Sequence, residues 1–227
     1  MSTRRLKLSM IFFALAVVFA LLSATQSAYV APPYFEGESD SFRYTGQGQQ
    51  NGSLYVNVSV NFDDPASLQR YIEANRLRAI DLADKWERRP LPVRVTFARP
   101  LPLSEVRKLV QAVGLQVSSF AMVGHSSLNG ERGIHVELGS IDKDVPTTLS
   151  MDPTGKGEQL VLTGVMVLYG EIGDPRTLPR LWADERIYLV DTSEVEVREL
   201  ITERHAAAAA GRELVVNVPS PFWKLDW

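Results

Sequence analysis

One short stretch of the chain contains residue types that could perform nucleophilic catalysis. It reads GHSSLNG from Gly124 to Gly130 and begins like the G-x-S-x-G turn of serine hydrolases, with Ser126 in the place of the nucleophile. The fifth residue is Leu128 instead of glycine, and the residues after it have the pattern of a strand, whereas the hydrolase turn leads into a helix. The sequence therefore favours a polar hairpin loop, with a nucleophilic Ser126 as the alternative.

Two other side chains are of types that bind divalent metal ions. His135 and Glu137 are two residues apart in a predicted strand, so both lie on one face, but the sequence offers no third ligand. Asp142 and Asp144 begin like a calcium-binding loop, yet Pro146 stands where the next ligand is needed. We therefore predict no bound metal and keep the His135 and Glu137 pair, together with the serine above, as the site of an alternative hydrolase.

The remaining polar patterns fit structural roles. The stretch YGEIGDP, residues 169–175, has a Gly-x-x-Gly spacing but lacks the Lys and the Ser or Thr of a phosphate-binding loop. The carboxylates of Glu194, Glu196 and Glu199 belong to the start or the exposed face of a predicted helix, where the helix dipole and water stabilise them. We therefore expect no cofactor, and the residues favour a protein that binds over one that catalyses.

Three aromatic side chains lie close together at the C-terminal end. They are Phe222, Trp223 and Trp227. Aromatic rings carry much of the binding energy at protein interfaces, and chain ends without such anchors are usually frayed. The tail therefore either packs on the protein's own core or forms a patch that binds a partner, and these three are the candidate partner-binding residues.

The chain has two strand–helix–strand patterns. Residues 93–123 begin with VRVTFA, in which alternate residues are apolar, continue with a helix that ends at Gly114, and return in the strand LQVSSFAMV. Residues 160–191 repeat this order, with a strand that is apolar on both faces, a short helix and a second strand. Two such units with hairpin-like residues between them predict an α+β protein with a ferredoxin-like, split βαβ sandwich.

Further elements flank these units within residues 54–227, which we predict to form one extracytoplasmic domain. A strand of alternating apolar residues begins at Leu54, and a long amphipathic helix follows the start signal Asp-Asp-Pro. Near the C-terminus, Ser193 and Glu196 have the spacing of a capping box before another helix. We expect the first strand and helix, which run to Arg88, to cover the sheet face that the ferredoxin-like helices leave open.

The first thirty residues differ from the rest of the chain. Arg4, Arg5 and Lys7 precede a long apolar run, and no further charged residue occurs before Glu36. Such a segment is either a cleaved signal peptide or a single transmembrane anchor, and the basic residues keep its N-terminus in the cytoplasm. The lack of a clear small-residue cleavage site favours the anchor over secretion. Residues 31–53, rich in Pro, Gly, Ser and Gln, are predicted to be a flexible tether.

The charge and the cysteine content narrow the classes of partner. Without the three basic residues of the leader, 21 Lys and Arg face 27 Asp and Glu, a net charge of −6. Such an acidic domain is unsuited to bind nucleic acid or anionic lipid surfaces. No cysteine is present, so the domain relies on its hydrophobic core instead of disulfides, which suits a bacterial envelope protein.

Together these patterns predict a non-catalytic domain outside a bacterial cytoplasmic membrane. The N-terminal segment would hold it there, and it would bind another envelope protein or a small ligand. The alternatives are a small extracytoplasmic hydrolase that uses Ser126 or the His135 and Glu137 pair, and a structural or sensor component of the envelope.

Overall fold

Two β-sheets and five helices form the part of the chain that the structure describes, in a mixed α+β arrangement. The structure is a computed structural model that describes residues 33–49, 51–85, 90–128, 130–150 and 157–225; of residues 134–138 and 223–224 it describes the backbone. The chain divides into two units, Met1–Pro33 and Tyr34–Trp227, and these strands and helices belong to the second.

No helix of the described ranges is both long and apolar enough to cross a membrane. The predicted signal peptide or anchor, the first thirty residues, lies outside those ranges.

The strands and helices are numbered here in chain order. The strands are β1 (Tyr34–Glu38), β2 (Arg43–Gly48), β3 (Ser53–Ser59), β4 (Leu91–Leu101), β5 (Leu115–Ser126), β6 (Arg132–Leu138), β7 (Thr148–Ser150), β8 (Gln159–Ile172), β9 (Ile187–Asp191) and β10 (Glu213–Asn217). The helices are α1 (Pro65–Asp84), α2 (Leu103–Val113), α3 (Leu178–Trp182), α4 (Ser193–Arg204) and α5 (Ala206–Ala209).

The larger sheet contains both predicted strand–helix–strand units. Its strand order is β6-β5-β8-β4-β9, each neighbouring pair is antiparallel, and β7 pairs with the first residues of β8. The strands of each unit, β4 with β5 and β8 with β9, are therefore separated by one strand of the other unit. The elements predicted within residues 93–123 and 160–191 are confirmed, with strands longer by a few residues.

Helices cover one face of this larger sheet. Alternate residues of its central strands, such as Val95 and Leu168, are fully buried on this face, where Val106 of α2 and Leu181 of α3 pack against them. Gly114 ends α2 with a φ of 66°, a left-handed conformation that glycine adopts without steric cost.

The C-terminal segment covers part of the opposite face. Phe222 lies in a short 3₁₀ turn and packs against Ala121 and Val123 of β5 and Val167 of β8. This face is apolar, as the sequence indicates, but the residues that bury it come from the end of the chain.

Helix α1 packs beside the edge strand β9. Its Tyr71 contributes to the core of the smaller sheet, and its Ala79 contributes to the core beneath the helices. We expected the strand and helix up to Arg88 to cover the open face of the larger sheet. This expectation is wrong for the part of that face formed by β5 and β8, which Phe222 covers instead. An edge strand has unpaired backbone groups, and a helix laid along it shields them.

The smaller sheet has the strand order β1-β2-β3-β10. The first three strands are antiparallel neighbours, whereas β10 runs parallel to β3 and joins the two ends of the domain. Leu54 and Val56 of β3 are fully buried in a core that includes Val197 and Ile201 of α4.

Part of the predicted tether is folded, which corrects the expectation for residues 31–53. Strands β1 and β2 lie within residues 34–48. Phe42, just before β2, is 4% exposed, and Tyr44 of β2 is 1% exposed. This stretch has few aliphatic residues, so its composition resembles that of a linker. Its aromatic rings, however, each bury a large area and supply the packing that aliphatic residues would otherwise provide.

The start of α4 also differs from the prediction. Thr192 is the N-cap residue and makes no capping bond with its side chain, while Ser193 is the first helical residue. The capping box is therefore wrong: the hydroxyl of Ser193 points into the interior, and Glu196 forms an ion pair with Arg78 of α1.

Candidate functional site

Ser126 lies at the end of β5, in the turn that leads to β6. Its hydroxyl donates a hydrogen bond to a carboxylate oxygen of Glu158 and accepts one from the backbone N–H of Leu128, with an N···O distance of 3.2 Å. These bonds join the turn to the residues just before β8, which is the role of a serine that stabilises a loop.

His135 and Glu137 lie in the edge strand β6, opposite Met122 and Phe120 in the strand register. Their side chains are outside what the structure describes. Among the residues that it does describe, no group of three or more His, Asp or Glu is arranged to hold a metal ion. A hydrolase built on this pair stays a prediction.

The structure describes the three aromatic residues of the C-terminal tail to different extents. Phe222 is 7% exposed and packs on the larger sheet, so its ring is not presented to a partner, and the interpretation of Phe222 as a binding residue is corrected. Trp223 belongs to the same 3₁₀ turn, with only its backbone described, and Trp227 lies outside the described residues. A buried ring at this place stabilises the chain end.

Five polar residues meet in the interior between α1 and the start of α4, and we call them the polar cluster. The hydroxyl of Tyr71 donates to Oδ2 of Asp191 at 2.7 Å, and the hydroxyl of Ser193 donates to the oxygen of Tyr71 at 2.9 Å. Oδ1 of Asn75 accepts the backbone N–H of Thr192 at 2.8 Å. Each of the five is at most 4% exposed, so these bonds replace those that water would make.

Burial determines the protonation of the Tyr71 hydroxyl. Removal from water disfavours the phenolate and raises the pKa of Tyr71 well above its ordinary value, and the negative charge of Asp191 raises it further. The hydroxyl is therefore held in its protonated form, in which it donates its hydrogen bond to Asp191.

A groove of about 520 Å³ lies beside the polar cluster, at one end of the larger sheet, and we call it the Arg94 groove. Strands β4, β5 and β8 form its floor, and the start of α4 and the residue after β10 form its walls. Its polar lining consists of Arg94, Gln116, Ser118, Tyr169, Glu171, Asp191 and Glu194. Such a volume is typical of sites for small molecules.

Arg94 is held in a fixed orientation inside this groove. Its Nη1 donates a hydrogen bond to the carbonyl oxygen of Val218, and its guanidinium carbon lies 4.8 Å from the centre of the Tyr169 ring, a cation–π contact. Its Nε is buried and has no hydrogen-bond partner among the described residues. The groove therefore contains an oriented cation with one unmet donor.

Three carboxylates line the same groove as this cation. Asp191 stands opposite Arg94 in the register of β4 and β9 and is itself part of the polar cluster. Glu194 accepts two hydrogen bonds from Arg198, at 2.7 and 3.0 Å, and Glu171 is exposed at the rim. Both glutamates also line an adjoining cavity of about 500 Å³, so the groove continues toward α4.

The Arg94 groove was not predicted, although the sequence contains one signal for it. In VRVTFA the apolar residues Val93, Val95 and Phe97 predict the strand, and Arg94 and Thr96 alternate with them. A charged residue in the middle of a strand that lies at the centre of a sheet is unusual and marks the opposite face as polar at that point.

Comparisons of the chain with protein-family models, curated proteins and solved structures found no match.

Proposed function

We propose that this protein is a membrane-anchored, non-catalytic binding domain outside a bacterial cytoplasmic membrane, and that the Arg94 groove is its binding site. The observation that carries this proposal is the combination in one groove of a volume suited to a small molecule, an oriented guanidinium and a donor without an acceptor. A groove of this kind is suited to recognition because its charged groups are already placed before a ligand arrives.

The larger sheet supports a ferredoxin-like assignment for the centre of the domain. Strands β9-β4-β8-β5 are neighbours in this order, all antiparallel, and α2 and α3 lie on one face. This is the strand order expected of two interlocked split βαβ units. Folds of this class host many functions, so the functional proposal depends on the groove and not on the fold.

The location outside the membrane follows from the N-terminal residues. Arg4, Arg5 and Lys7 before the apolar run predict a cytoplasmic N-terminus and an exported domain. If the domain is exported, the absence of cysteine from the sequence suits a bacterial envelope protein that relies on its hydrophobic core.

A pair of C-terminal fusions to the full chain tests the location. We expect a reporter that is active only outside the cytoplasm to give signal in the membrane fraction, and a reporter that is fluorescent only inside to stay dark. Replacing Arg4, Arg5 and Lys7 together by Glu should reduce or reverse this pattern, whereas replacing Arg43, Arg70 and Arg76 in the domain should not. A domain found in the cytosol would contradict the proposal.

A second experiment tests the absence of catalysis. Purified full-length protein would be treated with a serine-directed covalent probe, and its metal content would be measured. We expect neither labelling of Ser126 nor a stoichiometric metal ion. Labelling that is lost in Ser126→Ala but not in Ser127→Ala would favour the hydrolase instead.

A further inference from the structure

The unmet donor of Arg94 indicates what kind of atom is missing from the groove. Nη1 is used by the carbonyl oxygen of Val218 and one face of the guanidinium by Tyr169, while the buried Nε has no acceptor among the described residues. Buried donors in folded proteins are nearly always bonded, so an unmet one beside a cavity calls for an acceptor from outside. The acceptor that best matches the planar edge of a guanidinium is a carboxylate, because it forms two parallel bonds.

The carboxylates that line the groove disfavour a ligand that carries negative charge alone. Asp191, Glu194 and Glu171 line the same groove and would repel a simple anion. A simple cation is disfavoured in turn by Arg94. A molecule that carries both charges avoids both penalties, with its negative end at Arg94 and its positive end toward Glu171 and Glu194.

We propose that the Arg94 groove binds a small zwitterion whose carboxylate pairs with the guanidinium of Arg94 and whose ammonium group lies beside Glu171 and Glu194. This chemistry is shared by free amino acids and by short peptides, and a groove of about 520 Å³ accommodates ligands of that size. The inference rests on the proposed function, since it names the ligand class of the same groove. Because Nε is covered, a bond between Nε and the carboxylate would require a small movement of the segment at Val218.

Calorimetric titration of the full-length protein in detergent tests this ligand class. The probes are a panel of free amino acids and di- and tripeptides, and two blocked forms of each: N-acetylated, without the ammonium charge, and amidated, without the carboxylate. We expect at least one zwitterion to bind, and both of its blocked forms to bind about tenfold more weakly or worse, a loss that corresponds to one charge-assisted contact. Comparing free amino acids with peptides distinguishes the two sources of this chemistry.

Three outcomes would overturn the proposal. The first is a panel in which nothing binds at millimolar concentration. The second is an N-acetylated form that binds as tightly as its parent, which would indicate an anion site. The third is an amidated form that binds as tightly as its parent, which would indicate a cation site.

Variants connect the binding to the named residues. Arg94→Lys keeps the charge but removes the planar fork, and we expect about tenfold weaker binding of the zwitterion. Glu171→Gln changes an exposed rim residue and should weaken the zwitterion while leaving any residual binding of its N-acetylated form unchanged. Glu213→Gln, an exposed residue of β10, is the matched control and should change neither. Equal loss of both ligands in Glu171→Gln would contradict the assignment of the ammonium.

Failure of this inference and failure of the proposed function give different results. The fusion reporters decide where the domain lies, whatever the calorimeter shows. A domain outside the membrane whose groove ignores every zwitterion of the panel would leave the location standing and remove the ligand class alone.

Discussion

The polar cluster and the Arg94 groove are neighbours that use polar residues in opposite ways. In the polar cluster, the hydroxyls of Tyr71 and Ser193 and the carboxylate of Asp191 are all buried. Each of these groups is hydrogen-bonded to another member of the cluster. In the groove, Arg94 has a buried donor with no acceptor and faces a space of about 520 Å³. Satisfied polar groups fix a structure, whereas an unsatisfied group beside a cavity is free to select a ligand.

Asp191 belongs to both regions and shows how one supports the other. Its oxygens accept from the hydroxyl of Tyr71 and from the backbone N–H of Ser193, so its carboxylate cannot turn toward Arg94. No ion pair between Asp191 and Arg94 is formed within the described structure, although the two residues are register partners. The polar cluster thus leaves the guanidinium available.

Of the substitutions that distinguish the polar cluster from the Arg94 groove, Asn75→Ala should lower the stability of the fold most. It leaves the buried Thr192 backbone N–H without its acceptor and removes the amide's further bonds to the Tyr71 carbonyl oxygen and the Ser193 hydroxyl. We expect the free energy of unfolding to fall by about 3 kcal/mol, since each buried group left unpaired costs roughly 1–3 kcal/mol. Urea titration measures this, with the exposed Asn217→Ala as control; equal effects of the two would mean that the cluster does not stabilise the fold.

Tyr71→Phe should cost somewhat less, about 2 kcal/mol at neutral pH, because it leaves Asp191 Oδ2 without its donor. The wild type should also lose stability at high pH. The folded state holds the Tyr71 proton more tightly than the unfolded chain, so this contribution is complete below pH 10, the ordinary tyrosine pKa, and is lost as the pH rises above it.

Unfolding free energies of the wild type and Tyr71→Phe, compared between pH 8 and 11, check that sign. The difference between them should narrow above about pH 10. Tyr55→Phe, a partly exposed tyrosine of β3, serves as control for the other titrating groups, and a constant difference over the whole range would contradict the burial of Tyr71.

Arg94→Met should have a smaller effect on stability, about 1 kcal/mol, through the lost hydrogen bond to Val218 and the lost contact with Tyr169. The effect should be local: hydrogen exchange in residues 218–225 should become faster, while exchange in α1 stays unchanged. The exposed Arg180→Met is the control. Faster exchange throughout the domain would mean that Arg94 stabilises the whole fold, as the polar cluster does.

Glu171→Gln should have the smallest effect on stability, below about 0.5 kcal/mol, as for most exposed substitutions. Its expected consequence is on ligand binding alone. Thermal unfolding with and without ligand separates the two, and a loss of more than about 1 kcal/mol without ligand would mean that this rim residue supports the fold.

The elements of the larger sheet could be predicted because their patterns are local. Alternation in VRVTFA, the glycine at Gly114 and the apolar run in β8 each depend on a few neighbouring residues. The fold of residues 34–48 was not predicted because the burial of Phe42 and Tyr44 also requires contacts with residues distant in the sequence, among them Tyr71.

Neither polar region could be predicted, because each is assembled across long stretches of sequence. Asn75 meets Thr192 and Ser193 more than a hundred positions away, and Arg94 meets Val218 in the same manner. Ser193 and Glu196 are an example of a local pattern that tertiary contacts override. Their spacing fits a capping box, but the Ser193 hydroxyl bonds to Tyr71 and Glu196 pairs with Arg78, both in α1. A single sequence does not contain the strand order that brings such residues together.

Because β10 pairs in parallel with β3, the smaller sheet is complete only after residues 213–217 have been synthesised. Residues 213–217 lie beside residues 53–57, so a nascent chain that does not yet include β10 has an open edge at β3. A product truncated after Gly211 would keep that edge bare, with the core residues Leu54 and Val56 in the unprotected strand. Proteases and chaperones would thereby be able to distinguish a chain that contains β10 from one that lacks it by the exposed edge of a single strand.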